Sequence, residues 1–123
     1  MSLIVHVADP DRWERARESG AYRHPTLDAE GFVHFSLPDQ VTRVANSGGP
    51  PTDREWVLLC VDESRLDPAV RYEPGDPDSD EEFPHVYGPV GVDAVVEVLP
   101  FPVEDGAYVL PDGLEEVRAR IDG

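Results

Sequence analysis

At 123 residues and 40% hydrophobic content, the chain has the makings of one globular domain with a single modest core. Its formal charge of −16 argues strongly against nonspecific binding to a nucleic-acid backbone and disfavours anionic membranes. All ten basic residues are arginine, which excludes Schiff-base chemistry and lysine phosphate clamps.

"LIVHV" (residues 3–7) reads as a strand with His6 inside an apolar run. "ADPDRWERARESG" follows as a helix, with Asp9 as N-cap, Pro10 in the first turn, Gly20 at its end, and Trp13, Ala16 and Arg17 on one face. "AYRHPTLDAE" reads as a loop, because Pro25 forces His24 out of helical geometry. "GFVHFS" is a second strand whose alternation puts His34 and Ser36 on one face. A second helix is expected in "SLPDQVTRVANSGGPP", capped by Ser36, with Val41, Val44 and Ala45 inward.

"EWVLLCVD" is apolar on both faces and is expected at the centre of a sheet. "AVRYEP" is a shorter strand, and "PGDPDSDEEFP" an acidic loop. "HVYGPV" and "DAVVEVLPF" are two further strands, and "GLEEVRARI" a closing helix capped by Asp112. The order βαβα followed by strands predicts an α+β fold in one domain. No apolar run reaches the ~18 residues a membrane span needs, and no signal-peptide pattern opens the chain, so a cytoplasmic protein is the expectation. The single cysteine, Cys60, rules out an internal disulfide and reads as a small buried hydrophobe.

His6, His34 and His85 each lie on or beside an expected strand among apolar residues, whereas His24 lies in the loop. One such histidine is an ordinary core residue bonded to backbone; three raise the prospect of a shared polar site, since each buried imidazole needs partners. Zinc ligation by these histidines with Glu30, Glu73 or Asp62 lacks any HxH or HExxH spacing, and no metal is expected. "DPDSD" (Asp76, Asp78, Asp80) opens like a calcium loop, but Glu81 stands where its glycine belongs and Tyr87 where its bidentate glutamate belongs. A GxSxG elbow, a GxGxxG turn and a P-loop are all absent.

"IVHV", "SGAYRHPTLDAEGFVHFSLPDQV", "WVLLCVD", "VRYE" and "FPHVYGPV" occur in this order. Together they resemble the bacterial family known as domain of unknown function 952, from the N-terminus to about residue 100, with the helix at about 111–122 as a C-terminal extension. That family is in turn similar to the ADP-ribosyltransferase superfamily. The resemblance implies small mixed or antiparallel sheets forming a cleft for NAD, with two or three flanking helices. It implies His6 against the adenylate ribose, His34 with Ser36 beside the nicotinamide, and Glu73 or Tyr87 in the late position, where Glu82 competes with Glu73.

His85 has no counterpart in the superfamily but joins the expected catalytic set of His34, Ser36, Glu73, His85 and Tyr87. His6, Arg23, Phe35 and Arg43 would hold the nucleotide, with Phe35 or Tyr87 flanking the nicotinamide and Arg23 or Arg43 meeting the pyrophosphate. A carboxylate would stabilise the oxocarbenium charge built as the nicotinamide–ribose bond breaks. The expected partner is a small-molecule nucleotide, with NAD as substrate. A nucleotide-sensing module without catalysis and a metal-dependent hydrolase are the alternatives.

Overall fold

A computed structural model describes residues 2–75 and 80–122. The first sheet is antiparallel, with β4 (Val57–Asp62) between β1 (Leu3–Ala8) and β8 (Val95–Pro100). Both faces of β4 are buried, as its unbroken apolar run requires of a central strand. Alternation along β1 and β4 sends Leu3, Val5, Leu58 and Cys60 to one core and Ile4, Leu59 and Val61 to the other.

The first of these cores is covered by α3 (Val41–Asn46) and α4 (Leu114–Asp122), through Val41, Ala45, Leu114, Val117 and Ile121. The second lies between the first sheet and a layer made of α1 (Pro10–Ser19), β2 (Ala21–Tyr22) and a second antiparallel sheet. In that sheet β6 (Glu82–Val86) lies between β3 (Val33–His34) and β5 (Val70–Pro74). Its Val33, Pro84 and Val86 are fully buried, each apolar side chain of this size contributing about 1.5–3 kcal/mol.

Two short antiparallel pairs complete the α+β architecture: β2 with β7 (Val90–Gly91), and β9 (Val103–Glu104) with β10 (Ala107–Tyr108). The β9–β10 turn has positive φ at Asp105 (53°) and Gly106 (80°), as a tight two-residue hairpin turn demands. This hairpin was not among the expected elements, although Asp105-Gly106 is its local signal. Asn46 of α3 holds β10 through both its amide atoms, Nδ2 to the Tyr108 carbonyl (3.1 Å) and Oδ1 from the Tyr108 N–H (2.8 Å).

Helix α1 is built as its sequence indicates. Asp9 accepts from the Asp11 N–H, Pro10 opens the helix, and Gly20 ends it in the left-handed region at φ 94°. Trp13 and Ala16 are buried, but Arg17 stays in solvent, paired with Glu14 one turn away.

The stretch expected as a loop contains a helix, α2 (Pro25–Glu30). Pro25 does hold His24 in an extended conformation, yet a proline also suits the first helical position, and the His24 ring accepts the Thr26 N–H as an N-cap would. Four α-helices therefore stand among the described residues, where two or three were expected.

Ser36 is not a helix cap. Its backbone N–H and C=O pair with Val5, both at 2.8 Å, bridging the free edge of β1 to the end of β3. Helix α3 starts only at Val41, and the Gln40 Oε1 accepts the Leu37 N–H across the intervening turn. Val44, expected inward, is 39% exposed. The expected strand over "HVYGPV" is divided, with His85 and Val86 ending β6 and Val90 beginning β7. Helix α4 begins at Leu114, with the Gly113 carbonyl accepting its first helical N–H, so Asp112 lies one residue ahead of the cap position. Asp76 and Asp78 of the calcium-loop pattern lie outside the described residues.

A histidine-lined candidate site

The second sheet sets the site by register. His34 lies directly opposite His85, and Arg71 lies opposite His85 on the other side. Since Val33 and Val86 face the core, alternation turns the His34, His85, Arg71 and Glu73 side chains to the outer face. Phe32 stacks on the His85 ring (centroids 4.2 Å, 19° between planes), and His34 meets that ring edge-on at 5.2 Å and 74°.

Glu73 ties this face together. One of its carboxylate oxygens, Oε1, accepts from both the Tyr87 hydroxyl (2.5 Å) and the His85 Nδ1–H (2.9 Å). These two bonds hold the Glu73 carboxyl below the usual glutamate range, and the same carboxylate pushes the Tyr87 hydroxyl up. Arg71 lies over the Tyr87 ring, 5.2 Å from its centroid. His85 is buried, and its Nε2 has no hydrogen-bond partner.

Two adjoining pockets open along this region. One of about 430 Å³ is bounded by His34, Phe35, Ser36, Arg43, Phe83 and His85, among others. The other, of about 210 Å³, includes His6, His24, His34 and Ser36 in its wall. His34 and Ser36 stand between the two, and the four histidines of the chain are all drawn in. Among the described residues, no group of three or more His, Cys, Asp or Glu side chains is arranged to hold a metal ion.

His6 is the buried anchor of this cluster. Its Nδ1 lies 2.6 Å from the His34 carbonyl and its Nε2 2.9 Å from the Tyr22 hydroxyl. A carbonyl can only accept, so Nδ1 carries the proton, and the Tyr22 hydroxyl must then donate to Nε2. Burial brings the His6 pKa down to about 3, and it pushes the Tyr22 hydroxyl up as well.

Residues 7–98 match the sequence model of the family described as "Protein of unknown function (DUF952)". The chain belongs to the DUF952 family. Among solved structures, this DUF952 chain is similar to protein CC0527 from Caulobacter crescentus. Its crystal structure superposes with a TM-score of 0.76 at 22% identity, over 94% of this chain and 98% of that one. The solution NMR structure of CC0527 gives a TM-score of 0.73 at 23% identity, over 94% of this chain and 97% of that one. Identities this low establish the shared fold alone. No curated protein matches the chain.

Of the residues singled out in the DUF952 sequence, His34, Ser36 and His85 meet in the pocket walls, with Glu73 and Tyr87 bonded to His85 or to each other beside them. His6 reaches the smaller pocket, but both its ring nitrogens are engaged within the protein. Phe35 is a core residue at 2% exposure, packed on the His6 ring; the aromatic on the histidine face is Phe32, two residues before His34. Arg43 borders the larger pocket and is paired with Glu81.

Arg23 is not brought to either pocket. It is exposed and paired with Asp28 at 3.4 Å. Glu82 is exposed on β6 opposite Pro74, so of the two it is Glu73 that meets a histidine, His85, while Glu30 pairs with His34. Tyr22, Phe32 and Arg71 were missed. Arg71 and Glu73 at alternate positions of "VRYE", and Phe32 two residues before His34 in "GFVHFS", were the available signals for these faces, whereas Tyr22 carries none in its local sequence. No helix among the described residues is long and apolar enough to cross a membrane. Cys60 is buried, its thiol pushed up to about 12, in keeping with a structural role.

Proposed function

We propose that this DUF952 domain binds a nucleotide, NAD or an ADP-ribose compound, against the histidine-lined face, with Glu73 serving the glycosidic bond. The observation that carries the reading is the double acceptance at Glu73 Oε1, from Tyr87 and His85. Those bonds keep the carboxylate ionised and fixed in direction. Loss of nicotinamide from NAD builds positive charge on the ribose, and a preoriented anion stabilises that charge more than mobile water does. The resemblance of the DUF952 family to the ADP-ribosyltransferase superfamily, expected from the sequence, points to the same class of ligand.

Aromatic rings offer the flat surface a nucleotide needs. Phe32 and Tyr87 supply it in place of Phe35, which the core has taken. Arg71 takes the pyrophosphate role expected of Arg23 or Arg43, because its guanidinium lies over Tyr87 on this face while theirs are paired with Asp28 and Glu81.

Thermal denaturation with millimolar NAD and with ADP-ribose tests binding: a ligand at a hundred times its Kd stabilises by about 2.7 kcal/mol. No rise in Tm with either compound refutes the reading. Nicotinamide release is then measured for the wild type, Glu73→Gln and His34→Ala. Release abolished by Glu73→Gln supports the glycosidic role, and release unchanged by His34→Ala removes His34 from it. Binding without any release would assign nucleotide sensing in place of catalysis.

A further inference from the structure

His85 holds the one buried side-chain nitrogen or oxygen among the described residues that lacks a partner, its Nε2. Its Nδ1 faces the Glu73 carboxylate at 2.9 Å and so carries the ring proton, which leaves Nε2 of the neutral ring a bare acceptor. Such an atom costs free energy while it is unpaired, and a donor that reaches it relieves that cost. We infer that Nε2 of His85 accepts a hydrogen bond from the ligand, and that this makes the site select a carboxamide over a carboxylate; the inference rests on the nucleotide reading above.

The ring edge is the side from which a donor can meet Nε2. Phe32 lies nearly parallel to the imidazole and covers its face, whereas the Nε2 lone pair points out of the ring edge, in its plane. His34 and His85 both border the larger pocket, and their rings meet edge-on. The His34 side chain is 46% exposed and hydrogen-bonded to the exposed Glu30, at 3.2 Å, so turning it aside gives up a weak surface pair and its ring contacts with Phe32 and His85. A donor in that pocket then reaches the ring edge. An amide N–H satisfies the acceptor, whereas a carboxylate would set an anion against a lone pair, with the Glu73 charge behind it.

The nicotinamide end of NAD carries such an amide, and nicotinic acid adenine dinucleotide carries a carboxylate in its place. Calorimetric titration of the full chain with each should show the acid form binding about tenfold more weakly or worse. His85→Phe, which keeps the ring stack and removes the acceptor, should lose the preference; His85→Gln, which restores an acceptor near that position, should keep it. Histidine ¹⁵N NMR of the free protein should show Nε2 of His85 unprotonated, its resonance moving when NAD is added.

An Nε2–H tautomer in the free protein overturns the inference. So does equal affinity for the two dinucleotides, or an unmoved Nε2 resonance in the NAD complex; in those cases nucleotide binding itself still stands. Absence of any NAD binding overturns both.

Discussion

The carbonyl oxygen of His34 accepts a 2.6 Å hydrogen bond from Nδ1 of His6 while the His34 ring faces His85 on the far side of the strand. A buried histidine of the first sheet thus fixes the backbone from which an exposed histidine of the second is projected. The Val5–Ser36 bridge, two residues along, pins the same junction through the main chain. The candidate site is held in place from inside the core.

Tyr22→Phe removes the hydroxyl that donates to Nε2 of His6 and leaves that nitrogen, among the described residues, buried and unpaired. The expected loss is about 1–3 kcal/mol of stability, read by urea denaturation at pH 7. A stability equal to wild type would mean that the His6–Tyr22 bond is not made in solution.

Stability should fall on mild acidification. The pKa of His6 is brought from 6.5 to about 3 by burial, and that of His24 moves the same way. The unfolded chain therefore binds protons that the folded one refuses, so this stabilisation is complete above about pH 6.5 and is lost as the pH falls toward 3. Between pH 7 and pH 5 the loss from His6 is on the order of 2 kcal/mol. Glu73 and Glu81, whose pKa values lie below 4.5, add their own losses only at lower pH. Urea denaturation at pH 7 and pH 5 should show the loss in wild type and a flatter dependence in His6→Gln; equal slopes would contradict the assignment.

Gly31 ends α2 at φ 90° and turns the chain into β3. No atom lies within 4 Å of a Cβ added there, so the cost of Gly31→Ala is conformational and not steric. About 1 kcal/mol is expected, seen as a Tm lower by a few degrees. An unchanged Tm would mean that this junction can relax out of the left-handed region.

Leu114 is 1% exposed and packs with Val117 and Ile121 of α4 in the core shared with β1 and β4. Leu114→Ala should cost about 2–5 kcal/mol by urea denaturation. A loss under half a kilocalorie would make the C-terminal helix an appendage, although it lies beyond the 7–98 span of the family match.

Much of the scaffold was legible because its signals are local. The apolar runs of β1, β4 and β8 are strands in any globular context, and Asp9, Pro10 and Gly20 mark the two ends of α1 through their own backbone preferences. Where one residue serves two structures, reading the sequence failed. Pro25 both breaks a helix behind it and starts one ahead, and six residues are too few for periodicity to choose. Ser36 fits a capping box on paper, but pairing with Val5, thirty-one positions away, claimed its backbone.

The sequence by itself determined the α+β class, the central strand, and the alternation that sets His34 and Ser36 against Phe35. Alternation is a property of the backbone and needs no partner. Only the tertiary structure decided which histidine is occupied and which is open. His6 is closed off by Tyr22 and the His34 carbonyl, whereas His85 keeps a bare nitrogen beside the pocket. Those outcomes depend on strand register between segments distant in the chain, and register is set by the packing of Val33, Val70 and Val86 against the core.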